Sequence, residues 1–378
     1  MRRLYFDYNA SAPLRPEAAA AMREVDALAG NPSSVHAEGR ALRVRIEDAR
    51  DRVRRALDAG DARVVWTSGA TEADNLAIFG LARAGAARGV RTLVLSGIEH
   101  AAVRGPADRL EREGWRVERI APDPDGFVDP ARFSAAAKGA EAIASCIFAS
   151  NEVGSVQDVR AIARDAALVV HTDATQAVGR IPFSFRETGV AVATVSSHKL
   201  GGPRGVGALV IRGDVEVEPM FSGGDQEYGL RAGTEAAPSI VGFAVALEHA
   251  VRERAEAASR LRELTTRLRA GIEVIVPRAR FATPATRALP NTLAVTIPGL
   301  DGRALVVALD LAGIAASVGS ACASGAIEPS AVLLAMGRTP AEARSTVRFS
   351  LGAALGEDDV DELLRRLARV VEGATQEF

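Results

Sequence analysis

Short apolar runs alternate with longer stretches of helical period through the first two-thirds of the chain. Runs rich in Val, Ile and Ala occupy residues 64–67, 92–96, 117–120, 142–149, 168–173, 192–196 and 207–211, each bounded by Gly, Pro, Asp or Ser. Strands separated in this way by helical segments predict an α/β fold: a mostly parallel seven-stranded sheet with helices on both faces. Ligands of such sheets bind outside the carboxyl ends of the strands, so chemistry is expected there. From Pro238 onward the pattern turns helical. Residues 240–275 read as one long or kinked helix with charge on one face, including Arg252-Glu253-Arg254, that bridges two domains. Beyond it, 291–297 and 313–317 read as strands and 302–311 and 358–372 as helices, so a smaller α+β domain closes the chain. Repeats and low-complexity segments are absent.

Composition narrows the classes of function. At 378 residues the chain is too long for one ordinary core, which fits a large domain plus a smaller one. A net charge of -2 provides no basic field for nucleic acid or an anionic membrane surface. No run of eighteen apolar residues occurs, and the opening Met1-Arg2-Arg3-Leu4-Tyr5-Phe6-Asp7 lacks the apolar stretch of a signal peptide. The expectation is a soluble cytoplasmic protein with no direct nucleic-acid or membrane partner. Cys146 and Cys322 are the only cysteines, too few for a disulfide framework or a multi-cysteine zinc site. The five histidines lack metal-ligand spacing, so no metal is expected.

Two strand ends carry the candidate chemistry. The run 168–173 leads into Asp173-Ala174-Thr175-Gln176, and the run 192–196 into Ser196-Ser197-His198-Lys199-Leu200-Gly201-Gly202-Pro203. Taken singly, a lysine in a glycine-rich loop is ordinarily solvated and an aspartate after a strand ordinarily caps a helix. Together they are the pair that pyridoxal 5'-phosphate requires: a lysine amine for its aldehyde, and a carboxylate that keeps the pyridine nitrogen protonated. The run 64–67 enters Ser68-Gly69-Ala70-Thr71-Glu72-Ala73-Asp74-Asn75, where the free N–H groups of a helix N-terminus, with the Thr71 hydroxyl, make an anion site for the phosphate. The same residues also read as a capping box with Thr71 as cap and Asp74 three positions on. Ser196 and His198 share the lysine loop and can reach the same phosphate. Cys146, inside a strand-like run, reads as a buried packing residue. Cys322, among small residues in Gly319-Ser320-Ala321-Cys322-Ala323-Ser324-Gly325, reads as an accessible thiol that needs local activation from its reference pKa of about 8.5.

A longer series runs in order along the chain: Tyr5-Phe6-Asp7-Tyr8-Asn9-Ala10, Gly30-Asn31-Pro32-Ser33-Ser34, Thr67-Ser68-Gly69-Ala70-Thr71-Glu72, Glu99-His100, Asn151-Glu152-Val153-Gly154, Asp173-Ala174-Thr175-Gln176, His198-Lys199, Arg231-Ala232-Gly233-Thr234, Gly319-Ser320-Ala321-Cys322 and Arg348-Phe349-Ser350. The series resembles the NifS and IscS type of cysteine desulfurase, fold-type I, class V enzymes that depend on pyridoxal phosphate. The resemblance implies Lys199 as imine partner and base, Asp173 on the ring nitrogen, Gln176 on the ring hydroxyl and His100 stacked on the ring. It implies a phosphate site of Ala70, Thr71, Ser196 and His198, joined by Thr234 from the second subunit of a homodimer. Asn151 and Arg348 would bind the carboxylate of L-cysteine, and Cys322 would take the sulfur as a persulfide, leaving L-alanine, and pass it to a protein acceptor such as an iron-sulfur scaffold or a tRNA-thiolation protein. The expected division is a large cofactor-binding domain over residues 15–250, and a small domain of 1–14 and 251–378 that carries the cysteine loop. Val318, Asp225, Tyr228 and Ser150 depart from the usual family wording, and the end at Phe378 lacks the longer tail that housekeeping members turn toward a scaffold. The rival readings are a selenocysteine lyase or class V aminotransferase on the same fold, and a non-catalytic scaffold protein; an aminotransferase would have no use for Cys322.

Overall fold

The computed structural model describes residues 2–319 and 329–376. A seven-stranded sheet forms the centre, ordered from edge to edge as Arg63–Thr67, Gly207–Ile211, Val192–Ser196, Leu168–Asp173, Ala142–Ser145, Thr92–Ser96 and Arg116–Ile120. The pairs from Val192–Ser196 outward to Arg116–Ile120 are parallel. Gly207–Ile211 alone runs antiparallel to both of its neighbours. Six strand ends and the first residue of the reversed strand therefore meet at one end of the sheet.

The apolar runs mark these strands to within a residue, except that the run 142–149 is regular only over Ala142–Ser145. The ladder continues past it in looser form, with Cys146 N–H donating to the His171 carbonyl and Phe148 N–H to that of Asp173. Both faces of the sheet are buried, which is why the runs are continuous rather than alternating. Val64, Ala144, Val170, Ala193, Val195 and Val210 point into one core. Their chain neighbours Val65, Ile143, Val192, Leu209 and Ile211 point into the other, as the two-residue period of a strand requires.

The long helix is continuous over Ala237–Ile275, 39 residues or roughly 58 Å. Ile240, Phe243, Ala244 and Leu247 pack into the core of the large sheet. Leu261, Leu264, Leu268 and Ile272, further along, enter a separate core with Leu293, Val295, Val347, Phe349, Val360 and Leu363. That second core covers an antiparallel sheet ordered Ser317–Val318, Thr346–Ser350, Thr292–Thr296 and Arg280–Phe281. The run 313–317 divides between two sheets: Ile314–Ala315 pairs with Leu4–Tyr5, and Ser317–Val318 pairs with Thr346–Ser350. The helices expected at 302–311 and 358–372 are Gly302–Leu311 and Glu357–Gln376.

Leu4 and Phe6 bring the start of the chain into this second core. Phe6 is fully buried there, and residues 7–11 continue from it across the end of the large sheet. Phe6→Ala should destabilise the protein by about 3–5 kcal/mol, the cost of a large apolar truncation in a packed core. Urea denaturation measures this, and a loss below about 1 kcal/mol would mean that the segment is not anchored by its aromatic ring.

Candidate active site

A cavity of about 570 Å³ opens at the carboxyl ends of the strands. Ten of the twelve residues singled out in the sequence line it: Ala70, Thr71, His100, Asn151, Asp173, Gln176, Ser196, His198, Lys199 and Arg348. Strand ends several positions apart in the sheet thus deliver one set of side chains to one space.

The anion cradle is built by the turn after Arg63–Thr67. The helix begins at Ala70 with Gly69 as its N-cap, and Gly69 takes a φ of 152°, a conformation that side chains disfavour. Thr71 therefore lies in the first helical turn and is not the cap, and Asp74 faces inward, fully buried. The capping-box reading of Thr71 and Asp74 is thereby corrected; Glu72 instead reaches back and accepts from Ser68 N–H at 2.8 Å. The first helical N–H groups stay available to an anion. Across the cradle, the Ser196 hydroxyl is buried without a hydrogen-bond partner. His198 Nδ1 meets Ser11 Oγ at 3.2 Å. Burial, helped by Lys199, Arg204 and Arg180, pushes His198 down to about 4, so at neutral pH it offers an uncharged ring.

Gly207 holds the cradle against the sheet. A Cβ there would lie 2.7 Å from the Gly69 carbonyl carbon and 2.9 Å from the Val195 oxygen, both backbone atoms.

Lys199 ends a short 3₁₀ turn after Val192–Ser196. Its Nζ donates to the carbonyls of Asn9 at 2.6 Å and Ala10 at 2.9 Å. The sequence contains one other lysine, Lys138, which is exposed after the helix Pro130–Ala137. Asp173, at the end of Leu168–Asp173, accepts from Thr175 N–H at 2.9 Å. Gln176 is buried rather than a surface amide; its Nε2 donates to Asn9 O at 3.1 Å, and its Oε1 accepts from Arg180. An amide nitrogen carries two protons, so one remains for a ligand oxygen. His100 serves two ends at once. Its Nδ1 caps the helix Ala101–Arg112 by accepting from Ala102 N–H at 3.1 Å, while its ring lines the cavity and burial lowers its pKa.

Arg348 sits within Thr346–Ser350 and is buried, so it is not a solvated strand residue. Nη2 pairs with Asp7 at 2.7 Å and Nη1 donates to the Asn151 carbonyl at 2.8 Å, which fixes the guanidinium plane. Its Nε is buried without a partner.

Two positions stand apart. Thr234 is exposed ahead of the long helix and does not line the cavity. Cys322 lies outside the described residues. Cys146 is fully buried, as its place in an apolar run implied. Asp7, Asn9, Glu99 and Arg180 received no role from the sequence, although the first three stand inside the motifs quoted. Asn9 is the junction: its side chain donates to Thr292 Oγ1 at 2.9 Å and the Asn151 carbonyl at 3.2 Å, while its carbonyl receives Lys199 and Gln176. Arg180 is half-buried, and desolvation together with the nearby Arg348 pushes it down to about 10.

These residues fit pyridoxal phosphate. A helix N-terminus opens onto the cavity, a buried hydroxyl lacks a partner at Ser196, a carboxylate and a lysine share the space, and the volume suits a cofactor with an amino acid.

Two measurements test this construction. Gly207→Ala should lower affinity for pyridoxal phosphate about tenfold, because the new methyl meets backbone that cannot yield, and should change affinity for phosphate-free pyridoxal less. Equilibrium dialysis with both ligands decides; equal losses would place the damage outside the cradle. Burial raises Glu99 from 4.5 to about 7. The folded protein then binds the extra proton, so this stabilising contribution is complete below about pH 4.5 and is lost as pH rises through about 7. Glu99→Gln should gain on the order of 3 kcal/mol relative to the parent between pH 5 and pH 8. Urea denaturation at both pH values measures the difference, and a constant gap would contradict the shift.

The model of the aminotransferase class-V family matches residues 4–363. A cysteine desulfurase of Cereibacter sphaeroides is 42% identical, the match covering 98% of this chain and 96% of that one. The cysteine desulfurase IscS of Dictyoglomus turgidum is 37% identical, over 98% and 95%. Among solved structures, a NifS-like protein superposes with a TM-score of 0.91 at 34% identity, covering 98% of this chain and 99% of the other.

Proposed function

The chain belongs to the class-V aminotransferase family, and with that as premise we propose that it is a pyridoxal-phosphate-dependent cysteine desulfurase that converts L-cysteine to L-alanine and carries the sulfur away on Cys322. The observation that carries the reading is one cavity holding Lys199, Asp173, His100 and Arg348 above an anion cradle.

The cofactor, when bound, supplies an aldehyde for the substrate amine and a protonated ring that accepts the electron pair released at Cα. Ala70, Thr71, Ser196 and His198 would hold its phosphate, and Asp173 would keep the proton on its ring nitrogen. Arg348, braced by Asp7, and Asn151 grip the substrate carboxylate; a planar guanidinium does this through two parallel hydrogen bonds. The Lys199 amine would take the α proton on Nζ. The Cys322 thiolate attacks the substrate sulfur, so that an S–S bond forms as the Cβ–S bond breaks. The carbon fragment keeps the bonding electrons, takes up protons and leaves as L-alanine, and Cys322 is left as a persulfide.

Thr234, exposed in the loop before the long helix, is the residue that one protomer of a homodimer lends to its partner's phosphate site. We divide the chain into residues 15–250, which bind the cofactor, and 1–14 with 251–378, which form the small domain; the apolar cores around the two sheets support this division. No described helix is long and apolar enough to cross a membrane. We assign the enzyme to the cytoplasm, where a protein acceptor such as an iron-sulfur scaffold or a tRNA-thiolation protein receives the sulfur.

Alanine and sulfide released from L-cysteine in the presence of a thiol reductant test the reaction class and the nucleophile together. The parent should form both in equal amounts, and Cys322→Ala should keep the visible absorbance of the cofactor while losing at least about 100-fold in rate. Sulfide release by Cys322→Ala at the parent rate would remove Cys322 as nucleophile, and a requirement for an oxo acid would make the protein an aminotransferase.

A further inference from the structure

Behind the Asp173 end of the cavity lies a set of ionisable side chains that the reaction as described does not use. Glu99, Asp74 and His171 are each 0% exposed. They come from three elements: Glu99 follows the strand Thr92–Ser96, Asp74 belongs to the helix Ala70–Ala86, and His171 to the strand Leu168–Asp173. His171 Nδ1 faces Ser145 Oγ at 3.0 Å, and its Nε2 faces Thr194 Oγ1 at 3.1 Å and Asp74 Oδ1 at 3.5 Å.

Glu99 is the member that lines the cavity. Its Oε1 accepts from Ser96 Oγ and from Ile147 N–H, both at 2.8 Å, and so fastens the end of one strand to the continuation of another. Its Oε2 is buried with no hydrogen-bond partner. The ionisable groups acting on it are His171 and Asp173 from the strand Leu168–Asp173, next but one in the sheet, with Cys146 on the run between and His100 next in sequence. Burial favours the uncharged forms of His171, Cys146 and Asp74. An ionised Glu99 would hold a second buried anion near Asp173, with one oxygen lacking any donor, and both features disfavour charge.

We propose that Glu99 is a positioning residue that acts as a neutral acid: one oxygen ties together the strand ends that bear His100 and Asn151, and the other stays uncharged toward the cavity floor, so that Asp173 is the anion presented to the ring nitrogen. The inference rests on the reading of Asp173 as that nitrogen's partner, and it extends that reading by stating how the surrounding acids are kept from competing with Asp173.

Infrared spectra of the cofactor-free protein at pH 5.5 test the proton directly, apart from any activity. The parent should show the carbonyl stretch of a buried carboxylic acid, and Glu99→Gln should lose that component while circular dichroism shows it folded. A parent spectrum without the band, or a band unchanged in Glu99→Gln, overturns the proposal, and the first of these needs no variant to fold. In the loaded protein at pH 5.5, where Glu99 carries its proton, Glu99→Gln should leave the cofactor's visible absorbance maximum unchanged, whereas a displaced maximum would mean that a charge had been removed. Asp173→Asn separates the two readings: full cofactor affinity and an unaltered spectrum in that variant would end the assignment of Asp173 while leaving the Glu99 proton untouched.

Discussion

Four basic side chains of the active site rest on one strip of chain, residues 7–11. Lys199 donates to the carbonyls of Asn9 and Ala10, Arg348 pairs with Asp7, Arg180 donates to the Tyr8 carbonyl at 3.2 Å, and His198 meets the Ser11 hydroxyl. Polar groups drawn out of water need such partners, and the strip adds to those at the sheet end, the Asn151 carbonyl for Arg348 and Gln176 for Arg180. The strip is itself fixed to the smaller unit: Tyr8 N–H donates to Ser350 O, Asn9 N–H to Ser350 Oγ at 2.9 Å, and Phe6 lies in that core. Lys199, from the large sheet, and Arg348, from the small one, are therefore set by the same short strip of chain.

This arrangement separates charge from neutrality inside one cavity. His198 and His100 are both biased by burial toward the neutral ring, and the cradle side of the cavity offers hydroxyl, imidazole and helix N–H donors, with Arg204 also on its wall. Arg348 lines the same cavity, and Asp7 already satisfies one side of its guanidinium.

Much of this was legible in the sequence, and the gaps have physical causes. Seven apolar runs gave the strands, and Asp173 and Lys199 could be paired because one closes such a run and the other follows the end of the next within three residues. The reversed direction of Gly207–Ile211 was not visible, since a strand buried on both faces has the same pattern either way. Nor was the division of 313–317 between two sheets, because two residues in each carry no period of their own. Asp7, Asn9 and Arg180 gained their roles only from contacts spanning 341, 190 and 172 positions of chain. Thr71 was ambiguous for a local reason: cap and anion ligand draw on the same residue types, and only the backbone of Gly69 decides where the helix begins.

The most direct measurement of the central claim exploits the scarcity of lysine in this chain. Borohydride reduction of the cofactor-loaded protein, followed by proteolysis and mass mapping, should find the pyridoxyl group on the peptide containing Lys199 and none on Lys138. Label on Lys138, or no label at all on a protein that retains its cofactor, would contradict the account.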